Sequence, residues 1–126
     1  MDVTVPAVTD SPAGVGAMWE DGAHAWFTRV AAQRAPNWRN ELLLSGLVEG
    51  AVFRPLDHLD QARVPLLLVV APDDRLNPPL AALPVAADHP AISVTEVSGN
   101  HFDAYEAGFD VTCGAAIDWF AAHLSH

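Results

Sequence analysis

The sequence predicts an α/β fold in which parallel strands are flanked by helices and a separate helical segment precedes them. Three features point to it. Val64 to Ala71 is an unbroken apolar run, Ile92 to Val97 alternates β-branched with polar residues, and Phe109 to Leu124 repeats apolar residues at helical spacing. A strand that is apolar on both faces belongs in a sheet covered on both sides, as parallel sheets are.

Taken in order, residues 1–18 carry Pro6, Pro12, Gly14 and Gly16 among small residues and read as an extended or looped start with little to bury. From Glu20 to Arg34 the positions Ala23, Trp26, Phe27, Val30 and Ala31 recur every three or four residues. That spacing predicts an amphipathic helix ended by Pro36. A second helix is expected after Asn37 as N-cap, with Leu42, Leu43, Leu47 and Val48 as its stripe and Gly50 at its C-terminus. Trp19, Trp26 and Trp38 are expected to pack this segment. Residues 1–52 thus form one unit and 53–126 another.

Residues 53–63 form a turn-rich connector into the first strand. Pro78 to Ala87 is Ala-rich and opened by prolines, so it reads as the crossover helix, with Pro84 as an internal cost. Ile92 to Val97 is a second, more peripheral strand, and the helix from Phe109 to Leu124 packs on the sheet through Val111, Ala115, Ile117, Trp119, Phe120 and Leu124.

Composition narrows the function. Apolar residues make up 51% of the chain, which favours a packed interior over disorder. Sixteen acidic residues against six basic ones give a formal charge of −10, which repels nucleic-acid phosphates and anionic membranes. One cysteine, Cys113, permits no internal disulfide and no multi-cysteine metal site, and suits a reducing compartment; a cytoplasmic location is expected. His24, His58, His89, His123 and His126 lack metal-ligand spacing, so no metal and no cofactor are expected.

Chemistry concentrates in two strand-end clusters. Asp73-Asp74 follows the first strand, and His101 follows the second after Ser98-Gly99-Asn100. Ligands gather at the carboxyl ends of parallel strands, and a right-handed strand-helix-strand unit makes these two strands neighbours. An acid beside an imidazole fixes its tautomer and stabilises the imidazolium formed when it takes a proton from a nucleophile. Asp103 and Tyr105 stand close enough in sequence to line the same site, or in the case of Asp103 to cap a turn.

The order strand, Asp74-Arg-Leu-Asn-Pro-Pro79, helix, strand, Gly99-Asn-His101-Phe, final helix resembles the C-terminal end of the α/β-hydrolase superfamily, from about Phe53 to Leu124. The resemblance implies a partial α/β-hydrolase fold, with residues 1–52 as the helical lid. It makes Asp74 the acid and His101 the catalytic histidine of a serine hydrolase acting on an ester, amide or similar acyl bond. Asp73 stands one residue early. The family's Gly-x-Ser-x-Gly elbow is missing: Ser11, Ser45, Ser93 and Ser98 have other surroundings, and Cys113 lies inside the last helix. The expectation is therefore a truncated segment, inactive alone, that meets a small-molecule substrate only when a nucleophile comes from elsewhere.

The competing expectation is a non-catalytic interaction or dimerisation module that pairs with itself or a partner chain through an exposed sheet edge. A phosphoacceptor receiver-like domain fits less well. Its acidic pair belongs near the start of the chain, and this sequence has no lysine to supply the one such domains carry on a late strand.

Overall fold

The structure is a computed structural model that describes residues 3–124. It contains both helices and small sheets, a mixed α/β composition, and divides into two compact units, residues 1–54 and 55–126.

In the first unit β1 (Thr4–Val5) pairs antiparallel with β2 (Leu42–Leu43), Thr4 opposite Leu43 and Val5 opposite Leu42. Val8 and Met18 form a parallel bridge, held by the Thr9 N–H donating to the Met18 carbonyl at 2.9 Å. The first eighteen residues are therefore not a bare loop. Ala7 is 5% exposed and Val8 only 1%, because this segment folds back on itself and supplies the unit's core. Helix α1 (Ala23–Arg34) follows a short 3-10 turn and ends just before Pro36, as the proline demands. On it Phe27 meets Trp26 edge to face at 5.1 Å and stacks on Trp38 at 5.4 Å. Trp19 does not join the packing to the same degree and remains 43% exposed.

The second helix differs from its sequence reading. Asn37 does not cap it; α2 spans Leu44–Val52 and starts where the Leu44 N–H donates to the Val3 carbonyl at 2.9 Å. Leu42 and Leu43 are extended in β2 instead, and Gly50 lies inside the helix. The reason is upstream. Asn40 accepts from the Val8 N–H at 2.8 Å and donates to the Val8 carbonyl at 2.9 Å, which ties residues 40–43 to the β1 side as an extended segment. Asn40→Ala leaves both backbone groups of Val8, which is only 1% exposed, unpaired, so it should destabilise this unit by about 2–3 kcal/mol. Thermal unfolding followed by tryptophan fluorescence checks this, and an unchanged transition would show that water replaces the side chain without cost.

In the second unit a seven-residue 3-10 segment, Pro55–Gln61, leads to β3 (Leu66–Val70). β3 pairs in parallel with β4 (Ile92–Glu96), Leu66 opposite Ile92 through Val70 opposite Glu96. The two strands are neighbours joined by a crossover. That crossover is broken in two: a 3-10 turn at Pro79–Ala81, then α3 (Leu83–Asp88). Pro84 is the reason, since a proline is tolerated only in a first turn and the helix restarts so that Pro84 falls there.

Helix α4 (Phe109–Leu124) packs against β3, and α3 against β4. All five β3 residues are half-buried rather than enclosed, because two strands and two helices make a thin cover. For the same reason only part of the α4 apolar face packs. Ala115 and Trp119 are half-buried, while Val111, Ile117, Phe120 and Leu124 are more than half exposed. The tightest packing lies at the carboxyl ends of the strands, where Ala71, Val97 and Phe102 are each 6% exposed or less. No helix among the described residues is long and apolar enough to cross a membrane.

Candidate active site

Two loops leave the carboxyl ends of β3 and β4 over this packed layer. They are joined by backbone: the Val97 N–H donates to the Val70 carbonyl at 2.9 Å, and the Asp73 N–H to the Gly99 carbonyl at 3.1 Å. After Ala71 the chain turns through a bond from the Asp74 N–H to the Ala71 carbonyl at 3.2 Å. This turn leaves Asp73 exposed and brings Asp74 inward, so the neighbouring acids are not equivalent.

The two Asp74 oxygens have separate partners. Oδ1 accepts the Asn77 backbone N–H at 2.7 Å, and Oδ2 lies 2.9 Å from His101 Nδ1. The Asp74 side chain is 11% exposed and that of His101 23%. A carboxylate can only accept, so Nδ1 carries the proton and the lone pair of a neutral His101 sits on Nε2. Partial shielding from water strengthens such a charge-assisted bond.

The loop around His101 has its own hydrogen bonds. Gly99 has φ of 110°, a conformation that L side chains rarely adopt. Asp103 Oδ2 accepts the Asn100 N–H at 2.7 Å, and Asn100 Oδ1 accepts the Phe102 N–H at 2.9 Å. Asp103 is thus a turn brace, the second of the two roles its sequence position allowed. The His101 ring meets Phe102 edge to face at 4.9 Å, and Tyr105, 60% exposed, at 6.4 Å. Phe102 is the apolar floor that holds the imidazole.

Sequence reasoning named Asp74, His101, Asp103 and Tyr105 but not the Asn77 N–H, Asn100 or Gly108. The spacing Asp74-x-x-Asn77 is that of a side chain bonding the backbone three residues on, and it was the available signal. Gly108 carries none in the sequence; its need for a missing side chain appears only where the chain passes Val97.

No serine hydroxyl or cysteine thiol among the described residues is hydrogen-bonded to His101. Cys113 is a free thiol, half-buried within α4. Two other histidines have partners of their own, away from this pair. His89 Nδ1 accepts the Ala91 N–H at 3.2 Å, which leaves Nε2–H to donate to the Asp60 carbonyl at 3.2 Å. His123 Nδ1 bonds the Trp119 carbonyl at 2.7 Å while its ring stacks on the indole. His126 lies outside the described residues, among which no group of three or more His, Cys, Asp or Glu is placed to hold a metal ion.

The arrangement is chemically a base with a fixed tautomer: a half-shielded imidazole whose Nδ1–H is held by a carboxylate, itself held by a backbone amide. The chain matches no protein-family model, no curated protein and no solved structure, so its reading rests on these residues.

Proposed function

We propose that residues 53–126 supply the acid and the histidine of an α/β-hydrolase-type serine hydrolase acting on an ester, amide or similar acyl bond, with residues 1–52 as a lid-like segment. The observation that carries this reading is the Asp74 Oδ2 to His101 Nδ1 hydrogen bond of 2.9 Å, between side chains at the ends of adjacent parallel strands. His101 Nε2 takes the proton of a serine hydroxyl as that oxygen attacks the acyl carbon, then returns it to the leaving group. Asp74 keeps Nδ1 protonated and stabilises the imidazolium between those steps. The serine and its oxyanion-binding N–H groups come from polypeptide outside these 126 residues, since no Gly-x-Ser-x-Gly occurs within them.

Aryl-ester hydrolysis separates the possibilities. The purified 126-residue chain should hydrolyse p-nitrophenyl esters at the same background rate as its His101→Ala variant. Turnover that His101→Ala abolishes would mean that the nucleophile lies within these residues. In a protein that joins these residues to a strand, a Gly-x-Ser-x-Gly turn and a helix, a fluorophosphonate should label the serine. Labelling that His101→Ala leaves unchanged would refute the hydrolase reading.

A further inference from the structure

The peptide group between Gly99 and Asn100 is held from both sides. Its carbonyl accepts the Asp73 N–H at 3.1 Å, and its N–H donates to Asp103 Oδ2 at 2.7 Å. The first bond ties together the two strand-end loops, next to the residue that carries the acid, since Asp73 immediately precedes Asp74. The second comes from the turn that follows His101. A carboxylate is a strong acceptor, and an amide group that donates to one accepts more strongly at its own carbonyl. Asp103 therefore acts through a single peptide group on the loop that carries Asp74.

That peptide group needs holding. Gly99 has φ of 110° and no side chain to restrict the rotation of the peptide that follows it. Turning that peptide over would move its carbonyl away from the Asp73 N–H and its N–H away from Asp103 together. The space a Gly99 Cβ would occupy is filled by the Asp103 side chain.

Asp103 is itself fixed by backbone. Its N–H donates to the Asn100 carbonyl at 3.2 Å, and its carbonyl accepts the Gly108 N–H at 2.7 Å. Asn100 Oδ1 accepts the Phe102 N–H at 2.9 Å. The pairing of Asn100 with Asp103 resembles a capping box, and His101 is enclosed between its two ends.

We infer that Asp103 is a positioning residue for the Asp74–His101 pair. By clamping the Gly99–Asn100 peptide against the Asp73 N–H, it sets the separation of the two loops and keeps Asp74 Oδ2 at 2.9 Å from His101 Nδ1. A small displacement matters here, because a bond of that length is lost once its partners part by a further ~0.7 Å. The inference deepens the hydrolase reading and rests on it for the role of His101 as base. Its experiment reads the imidazole and not turnover, so either can fail without the other.

Two-bond ¹⁵N–¹H correlation spectra and amide exchange on the intact chain test this. With Asp74 in place, Asp103→Ala should raise the Nε2–H tautomer of His101 at least about fivefold and speed exchange of the Asp73 N–H by a similar factor. Asp103→Asn keeps an acceptor oxygen at the same length and should hold both readouts near those of the wild-type. In Asp74→Ala protein, whose imidazole is already unconstrained, removing Asp103 should change the tautomer ratio by less than about twofold. Asp103→Ser, with a shorter and neutral acceptor, should shift both readouts in the same direction by less, and it serves where circular dichroism shows Asp103→Ala to be unfolded. A folded Asp103→Ala or Asp103→Ser protein with the wild-type tautomer, or with unchanged Asp73 exchange, overturns the proposal. So does an Asp103→Asn protein that behaves as Asp103→Ala. A tautomer shift of equal size in the Asp74→Ala background also overturns it, since Asp103 would then act on the imidazole without the acid. Each of these results leaves the serine-labelling test of the hydrolase reading to be decided on its own.

Discussion

Replacing Gly99 with alanine should unfold the His101 loop and cost the second unit about 3 kcal/mol, from backbone strain and overpacking together. Gly99 sits at φ of 110°, and a Cβ there would fall on the Asp103 side chain. That side chain cannot simply swing away, since its Oδ2 accepts the Asn100 N–H at 2.7 Å and closes the turn that presents His101. Gly108 meets a parallel obstacle: its Cβ would overlap Val97 Cγ1, and Val97 is 3% exposed with a stiff β-branched side chain. Gly108→Ala should therefore also destabilise the unit, though by less, because its backbone is unstrained.

In a unit of this size 3 kcal/mol corresponds to a fall in melting temperature of roughly 15 °C. Calorimetry reads that loss, and the His101 imidazole N–H signal should broaden with exchange before global unfolding. Gly99→Ala combined with Asp103→Gly, measured against Asp103→Gly alone, separates the two causes: it removes the clash, which the Asp103 Cβ by itself would still make, and leaves the strain, so part of the lost stability should be recovered. No recovery would place the whole effect in the backbone.

Legibility in the sequence followed the range of the forces involved. The α4 boundaries, Phe109 and Leu124, stood out because sixteen residues of apolar repetition outweigh any single position. β3 was legible from five consecutive apolar residues, and the Pro36 stop and the Pro84 difficulty from proline's missing N–H. Asn40 was not legible. Its two bonds to Val8 span 32 residues, and nothing local distinguishes it from Asn37, which has the better position for a cap.

Within the site, Asp74 and His101 could be named because each follows the end of a strand, a pattern carried by neighbours in sequence. The bonds that hold them, from the Asn77 N–H and within the Asn100–Asp103 turn, depend on loop conformations that composition does not specify. The exposed stripe on α4 was hidden for the opposite reason. Periodicity marks which residues are apolar, but how many of them the fold covers depends on how much sheet lies beneath, and here there are two strands.

Asp74→Asn should leave the fold intact and invert the tautomer of His101. Asp74 Oδ1 accepts the Asn77 N–H at 2.7 Å, and in the variant only the amide oxygen can do so. That choice turns the new NH₂ group toward His101 Nδ1, 2.9 Å from the present Oδ2. Two donors cannot face one another, so Nδ1 must become the acceptor and the proton must move to Nε2. An imidazole protonated on Nε2 has no lone pair there to accept a nucleophile's proton; in triads generally the corresponding change lowers kcat by about 10⁴. Two-bond ¹⁵N–¹H correlation spectra distinguish the tautomers directly. The wild-type should show the Nδ1–H form and Asp74→Asn the Nε2–H form, with a stability change below about 1 kcal/mol because one hydrogen bond replaces another. Asp74→Ala removes the constraint altogether and should give a mixture of both forms. If Asp74→Asn keeps the Nδ1–H form, the carboxylate does not govern the histidine, and the acid–base assignment falls with it.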